Sequence, residues 1–119
     1  MENSGSIKFT SAILVNNAGS LGEMCSTSKL TSLSSLQKAV DFNVTSCSWL
    51  TSQFASNTVL PATSKIIVNI SSLAAVQPIN SNAVYCAGKA ARDMFHSVLA
   101  KENEDIFVIN YAPGPCDTD

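Results

Sequence analysis

Tyr85 and Lys89 have the side chains and the spacing of a proton-transfer pair. On a helix, residues four apart are neighbours on one face, so the phenol and the ammonium would lie side by side. A phenol, with an ordinary pKa of about 10, transfers protons poorly at neutral pH unless a nearby cation stabilises its anion. Ser72 adds a hydroxyl that can donate a hydrogen bond to a substrate oxygen. A solvated pair on a helix surface is the alternative that this motif leaves open.

Three short apolar runs predict the strands that would position these groups. They are Ala12 to Asn16, Ile66 to Ile70 and Ile106 to Tyr111. Unbroken apolar runs of this length are typical of parallel strands that are covered on both faces. Alternation with two helices predicts an α/β fold, a Rossmann-like parallel sheet with flanking helices, incomplete at about three strands and two long helices. In such sheets ligands bind beyond the carboxyl ends of the strands, where small and polar residues follow each run here.

Two amphipathic patterns predict the helices. The first begins with capping-box spacing at Ser34 and ends near Asn57, with Trp49 off its apolar stripe and facing a partner. That stripe comprises Leu36, Val40, Val44, Cys47, Leu50 and Phe54. The second helix spans Ala83 to Lys101, with a buried face of Val84, Ala87, Ala91, Met94 and Val98. Its flank carries Tyr85, Lys89, Arg92 and His96; we expect His96 on the surface, and Arg92 solvated or paired across a subunit contact.

Composition excludes several function classes. Charged residues make up only 13% of the 119 residues and the net charge is −2, so we expect neither a nucleic-acid nor a membrane partner. Four cysteines without a C-x-x-C pair, and a single histidine, predict no metal site and reduced thiols in the cytoplasm. No apolar run approaches the roughly 20 residues that span a bilayer. Residues 1–10 are small and polar, and we expect them to form a disordered lead.

An ordered set of motifs resembles the short-chain dehydrogenase/reductase family. The motifs are Asn16-Asn17-Ala18-Gly19, Asn43, Ser72, Tyr85 with Lys89, and Pro113-Gly114, and the match extends from Ala12 to Asp119. More narrowly, the segments NNAGSLGE, VNISSLAAVQP, YCAGKAARDM and NYAPGPCDTD resemble family members that reduce the side-chain carbonyls of pterins with NADPH in tetrahydrobiopterin synthesis. The resemblance therefore implies an NADPH-dependent carbonyl reductase acting on a pterin or another small carbonyl compound.

The resemblance also implies roles for individual residues. Tyr85 would donate a proton to the carbonyl oxygen, Lys89 would stabilise the phenolate and bind the nicotinamide ribose, and Ser72 would orient the carbonyl. Asn43 would hold a water that relays protons to Lys89; the alternative is a helix residue bonded to nearby backbone. The residues implied to contact NADPH are Asn17, Ala18, Gly19, Tyr85, Lys89, Pro113, Gly114, Cys116, Asp117 and Thr118. Those implied to border the substrate are Ser72, Leu73, Tyr85 and Gly114.

Other features of the family have no counterpart in this sequence. Its members open with a strand and a glycine-rich turn that binds the dinucleotide pyrophosphate, and they close with a substrate segment. We expect residues 11–119 to form the central and catalytic part of such a domain, inactive alone, with two open apolar sheet edges. We expect a homodimer through the two long helices. The alternatives are a non-catalytic module that pairs with a full-length reductase, and another short-chain carbonyl reductase.

Overall fold

The three predicted strands form one parallel sheet. The structure, a computed structural model, describes residues 7–56 and 60–116. Strands β1 (Phe9–Asn16), β2 (Ala62–Ile70) and β3 (Ile106–Tyr111) lie in the order β1-β2-β3. The predicted α/β, Rossmann-like class is confirmed. β1 begins at Phe9, so the last two residues of the expected lead belong to the sheet; residues 1–6 lie outside the described residues.

The first predicted helix is divided by a wider turn. Helix α1 spans Leu33–Val40, a π-helical segment spans Asp41–Thr45, and α2 spans Ser46–Ala55. The helix begins earlier than the predicted cap, because the hydroxyl of Ser32 accepts a hydrogen bond from the Ser35 amide at 3.1 Å. The predicted end near Asn57 lies outside the described residues. The second helix, α3 (Ala83–Glu102), agrees closely with its prediction.

The π-helical segment changes which side of the helix faces inward. It carries one residue more per turn than an α-helix, so a stripe counted at steps of three and four loses phase across it. The buried residues of this helix are Ala39, Asn43, Cys47, Thr51 and Phe54. The predicted stripe is therefore right at Cys47 and Phe54 and wrong at Val40 and Leu50, which are exposed. Trp49 lies off the stripe, as predicted, and its side chain is exposed.

The core lies on one face of the sheet, beneath α2 and α3. It contains Ala12, Phe54, Ile67, Leu99 and Ile106. The buried Lys65 ends α2 by donating from Nζ to the carbonyl oxygens of Phe54 (2.6 Å) and Ser56 (2.9 Å).

The opposite face of the sheet is apolar and exposed. Ile13, Val15, Phe107 and Ile109 project from it, with exposed fractions between 36% and 62%. Register places Ile13 and Phe107 on either side of Ile66, so these side chains form one continuous surface. The open edges that the sequence predicted are therefore accompanied by an open face.

The predicted buried face of α3 is wrong. Met94 and Val98 are 66% and 47% exposed, whereas Lys89, Arg92 and His96 are almost fully buried. The polar groups turn inward because carbonyl oxygens and asparagine side chains at the strand ends provide hydrogen-bond partners there. No helix in the described part of the chain is long and apolar enough to cross a membrane.

Candidate active site

Helix α3 carries Tyr85 and Lys89 past the carboxyl end of β2. The Lys89 Nζ lies 5.6 Å from the centre of the Tyr85 ring, and it donates to the carbonyl oxygen of Ile70, the last residue of β2, at 2.7 Å. This bond fixes the ammonium at the strand end, with the phenol one helical turn away. The structure thus favours a juxtaposed pair over the solvated alternative.

Lys89 lies in surroundings that disfavour its charged form. Only 5% of the residue is exposed, and burial lowers the pKa of its ammonium below the ordinary 10.5. The positive charge of Arg92 lowers this pKa further, while Asp93 and Cys47 act in the opposite direction. A lysine in this position exchanges protons more readily than one in solvent.

Ser72 follows β2 and begins a short 3-10 helix at Leu73–Ala75. Its backbone is extended, and its Oγ accepts a hydrogen bond from the Ala74 amide at 3.2 Å. Among the described residues this hydroxyl donates to no acceptor, so its proton is available for donation to a carbonyl oxygen.

Asn43 is buried inside the π-helical segment, where its side-chain amide is bonded at both ends. Its Oδ1 accepts from the Ser20 amide at 2.8 Å, and its Nδ2 donates to the Ser20 carbonyl oxygen at 2.9 Å. Both bonds of the Asn43 side chain are thus to backbone, and their partner lies in the loop after β1 and not in the helix itself. Asn43 holds this loop, and Gly19 within it, near Lys89.

The strand ends enclose a cavity of about 500 Å³. Its lining includes eight of the predicted residues, namely Asn17, Gly19, Ser72, Leu73, Tyr85, Lys89, Pro113 and Gly114. The backbone of Gly114 has a φ of 79°, a left-handed conformation that favours glycine, and it turns the chain after β3 along the cavity wall. Among the other predicted residues, Ala18, Asn43 and Cys116 do not line the cavity. Asp117 and Thr118 lie outside the described residues.

Arg92 is buried between α3 and the strand ends, and its hydrogen bonds hold the backbone beside the cavity. Its guanidinium donates to the carbonyl oxygens of Asn16 and Ala18 and to Oδ1 of Asn69. It is 1% exposed, so the prediction of a solvated or intersubunit arginine is wrong. Because both carbonyls belong to the segment that leads to Gly19, Arg92 holds this segment against α3.

His96 is likewise buried, contrary to prediction. Its Nδ1 donates to the Arg92 carbonyl oxygen at 2.7 Å, so its Nε2 is free to accept from the Asn16 side-chain amide at 3.0 Å. Burial lowers the pKa of this imidazole. The signal for this network lay in the strands, because Asn16, Asn69 and Asn110 occupy matching register positions.

The described residues contain no group of three or more histidine, cysteine or acidic side chains placed to hold a metal ion.

Comparison with protein families and curated proteins gives consistent matches. The profile described as short chain dehydrogenase matches residues 10–119. The chain is 45% identical over 111 residues to the sepiapterin reductase of Xenopus tropicalis, covering 90% of this chain and 42% of that protein. It is 44% identical to the rat enzyme of the same name, covering 89% and 41%. Benzil reductase of Bacillus subtilis is 31% identical, covering 94% and 47%. The chain therefore spans less than half the length of these relatives.

Solved structures show the same architecture. A short-chain dehydrogenase/reductase from Burkholderia vietnamiensis superposes with a TM-score of 0.77 and 26% identity, over 92% of this chain and 50% of that one. A short chain dehydrogenase from Shigella flexneri, complexed with NADP, superposes with a TM-score of 0.73 and 26% identity, over 86% and 42%.

Proposed function

The chain belongs to the short-chain dehydrogenase family, and from this premise we propose that it carries the carbonyl-reducing site of an NADPH-dependent reductase of pterin side chains. The observation that carries the proposal is the cavity at the carboxyl edge of the sheet, where Ser72, Tyr85 and Lys89 converge. The similarity to sepiapterin reductases supports a pterin substrate. On this proposal the protein acts in the cytoplasm, in tetrahydrobiopterin synthesis.

The residues around the cavity fit the nicotinamide end of NADPH. Gly19 has no side chain, and a Cβ built there would contact the Lys89 Nζ at 3.7 Å and the Asn43 Oδ1 at 3.6 Å. The bare backbone of Gly19 therefore leaves more room beside the Lys89 ammonium, which lines the cavity. Lys89 would bind the ribose, and the segments at Asn17 and Pro113 would line the ring. When bound, NADPH supplies the hydride that reduces the carbonyl carbon.

Three side chains of this chain would handle the oxygen and its proton. The Ser72 hydroxyl donates a hydrogen bond to the carbonyl oxygen and stabilises the negative charge that develops there. The Tyr85 hydroxyl donates the proton that completes the alcohol, and the Lys89 ammonium stabilises the resulting phenolate. Asn43 fixes the loop after β1 and would hold the water through which Lys89 and Tyr85 regain a proton.

A homodimer through the two long helices belongs to the same proposal. The outer sides of α1, α2 and α3 expose apolar residues that would be buried in such a contact, among them Val40, Met94 and Val98. The same surface supports a second candidate function, a non-catalytic module that pairs with a full-length reductase. Co-purification of the chain with the Xenopus tropicalis enzyme tests that candidate, and absence of association would exclude it.

A graft tests the reductase proposal. Residues 10–119 replace the matching segment of the Xenopus tropicalis sepiapterin reductase, and NADPH oxidation with sepiapterin is followed by absorbance. We expect turnover from the graft, and a loss of about 100- to 10,000-fold in kcat/KM with Tyr85→Phe, which removes the proton donor.

A folded graft that binds NADPH without reducing sepiapterin would contradict the pterin assignment. Reduction of benzil alone would favour a different carbonyl substrate. We expect the 119-residue chain alone to show no turnover.

A further inference from the structure

The end of β2 is bonded to α3 at three successive residues. Asn69 donates from Nδ2 to Oδ1 of Asp93 at 3.0 Å, and Ser71 donates from Oγ to Oδ2 of the same carboxylate at 2.7 Å. Between them, the carbonyl oxygen of Ile70 accepts from Lys89. One face of α3 therefore holds the whole strand end that leads directly into Ser72.

Asp93 lies on the helix face that carries the proposed chemistry. Tyr85, Lys89 and Asp93 are spaced four residues apart, so they form one stripe along α3. Tyr85 lines the cavity, Lys89 donates a hydrogen bond to the end of β2, and Asp93 accepts hydrogen bonds from the end of β2.

Among the described residues, the side chain of Ser72 makes no hydrogen bond to this helix; its Oγ accepts only from the local Ala74 amide. Its distance from Tyr85 is therefore set by its chain neighbours. These are the 3-10 helix that follows, which packs against α3, and the residues that precede it. Of these, Ser71 is almost fully buried, and its hydroxyl ends on the Asp93 carboxylate. Hydrogen bonds to a charged acceptor are among the stronger and more directional contacts available to a hydroxyl.

We propose that Asp93 is a positioning residue of the reductase site, whose carboxylate ties the end of β2, and with it Ser72, to the helix that carries Tyr85 and Lys89. The proposal rests on the proposed function, because only in a carbonyl-reducing site does the spacing of these three groups matter for catalysis. Asp93 does not line the cavity, and it acts through Ser71 and Asn69.

A second consequence follows from the charge of the carboxylate. The charged and titratable groups around the Lys89 ammonium are Arg92 and Asp93 on α3 and Cys47 on α2, with the Tyr85 ring one turn away. Asp93 raises the pKa of Lys89 against the effects of burial and of Arg92. Loss of this carboxylate would thus change proton exchange at Lys89 as well as the placement of Ser72.

Asp93→Asn in the 119-residue chain tests both consequences, with Ser97→Ala as the matched control. Ser97 lies one turn further along α3. Its Oγ donates to the backbone carbonyl oxygen of Asp93 and accepts from Nδ2 of Asn110, so its removal spares the Asp93 carboxylate. Amide exchange of Ala74, whose N–H donates to Ser72, is followed by NMR together with the titration of Lys89. We expect Asp93→Asn to speed this exchange by about tenfold and to lower the pKa of Lys89, and Ser97→Ala to change neither.

Ser71→Ala provides a milder variant that removes one of the two bonds to the carboxylate and leaves its charge. We expect faster Ala74 exchange with an unchanged Lys89 titration, and Ser71→Thr to restore the exchange rate. A uniform increase in exchange across β2, with Lys89 unaffected by Asp93→Asn, would show that Asp93 is merely structural and would overturn the proposal.

The same substitutions in the graft that carries residues 10–119 in the Xenopus tropicalis enzyme give an independent kinetic result. This result is available even where a variant of the isolated chain does not fold. We expect Asp93→Asn to lower kcat by at least about tenfold with little change in the KM for sepiapterin, because a misplaced hydroxyl weakens transition-state contacts. Unchanged kcat would overturn the proposal. An inactive parent graft would instead count against the proposed function, and the exchange and titration results would still decide the role of Asp93.

Discussion

His96 is the clearest case of a residue whose chemistry depends on its position in the fold. It is the only histidine in the sequence, it is fully buried, and both ring nitrogens are engaged in hydrogen bonds that suit the neutral form. Protonation at Nε2 would oppose a donor on Asn16. Lys89 differs from His96 because its hydrogen bond and its burial act in opposite directions. Donation to the Ile70 carbonyl oxygen suits the charged ammonium, whereas burial disfavours that charge.

His96 predicts a specific acid sensitivity of the fold. Its pKa is lowered from 6.5 by burial, so the unfolded chain binds a proton in a range where the folded chain does not. The free energy of unfolding should therefore fall as the pH drops below about 6.5, by up to about 1.4 kcal/mol per pH unit, until the folded pKa is reached. Urea denaturation between pH 8 and pH 5 measures this slope, and His96→Gln should flatten it. An equal slope in both proteins would contradict the assignment.

The sequence identified the groups that face the cavity more readily than those that hold them in place. Tyr85, Lys89 and Ser72 could be predicted because their spacing along the chain follows from helix geometry and from a known motif. Arg92 and His96 could not, because a charged residue on a helix is ordinarily exposed, and its burial depends on acceptors supplied by distant strands. Only the asparagines that recur in each strand hinted at such acceptors.

The elements themselves followed from hydrophobic periodicity, and their errors have a common origin. Three strands and two long helices were predicted in the correct order, yet the inward face of α3 was wrong. Periodicity assigns the apolar stripe to the core, whereas here the apolar stripe of α3 faces outward and a hydrogen-bonded polar stripe faces the sheet. In α1 and α2, the π-helical segment shifted the phase, and no residue type in Asp41–Thr45 signals that shift.

The π-helical segment predicts an effect of deleting a single residue. Removing Phe42, which is half exposed, should convert the wide turn to a regular helical turn and rotate Asn43 relative to α2. The two hydrogen bonds from Asn43 to Ser20 would then be lost, and the Ser20 amide should exchange faster in NMR. Phe42→Ala, which keeps the extra residue, is the control and should preserve its protection. Unchanged protection in the deletion variant would show that the π turn does not position Asn43.

At the scale of the whole molecule, the described residues form two exposed apolar surfaces. One is the sheet face with Ile13 and Phe107, and the other is the outer side of the long helices with Met94 and Val98. Chains with such surfaces tend to associate, because burying them removes apolar area from water. The proposed dimer would bury only the helical surface, so the apolar face of the sheet would stay exposed in that dimer.

Substitution of the helical surface should separate dimerisation from other association. We expect Val98→Glu to shift the chain from dimer to monomer in sedimentation velocity, because a carboxylate would be buried without a partner. Gln77→Glu adds the same charge on an exposed residue outside the helices and should leave the dimer intact. A dimer that persists in Val98→Glu would place the contact elsewhere.

On the proposed function, Ser72, Tyr85 and Lys89 of this chain form a working carbonyl-reducing site. The most direct measurement is the kcat/KM for sepiapterin of the frog graft that carries residues 10–119, compared with its Tyr85→Phe and Lys89→Met variants. We predict turnover in the graft and a loss of at least about 100-fold in each variant, with NADPH still bound by Tyr85→Phe. A graft whose turnover survives Tyr85→Phe, or which folds and binds NADPH without reducing any carbonyl substrate, would contradict it.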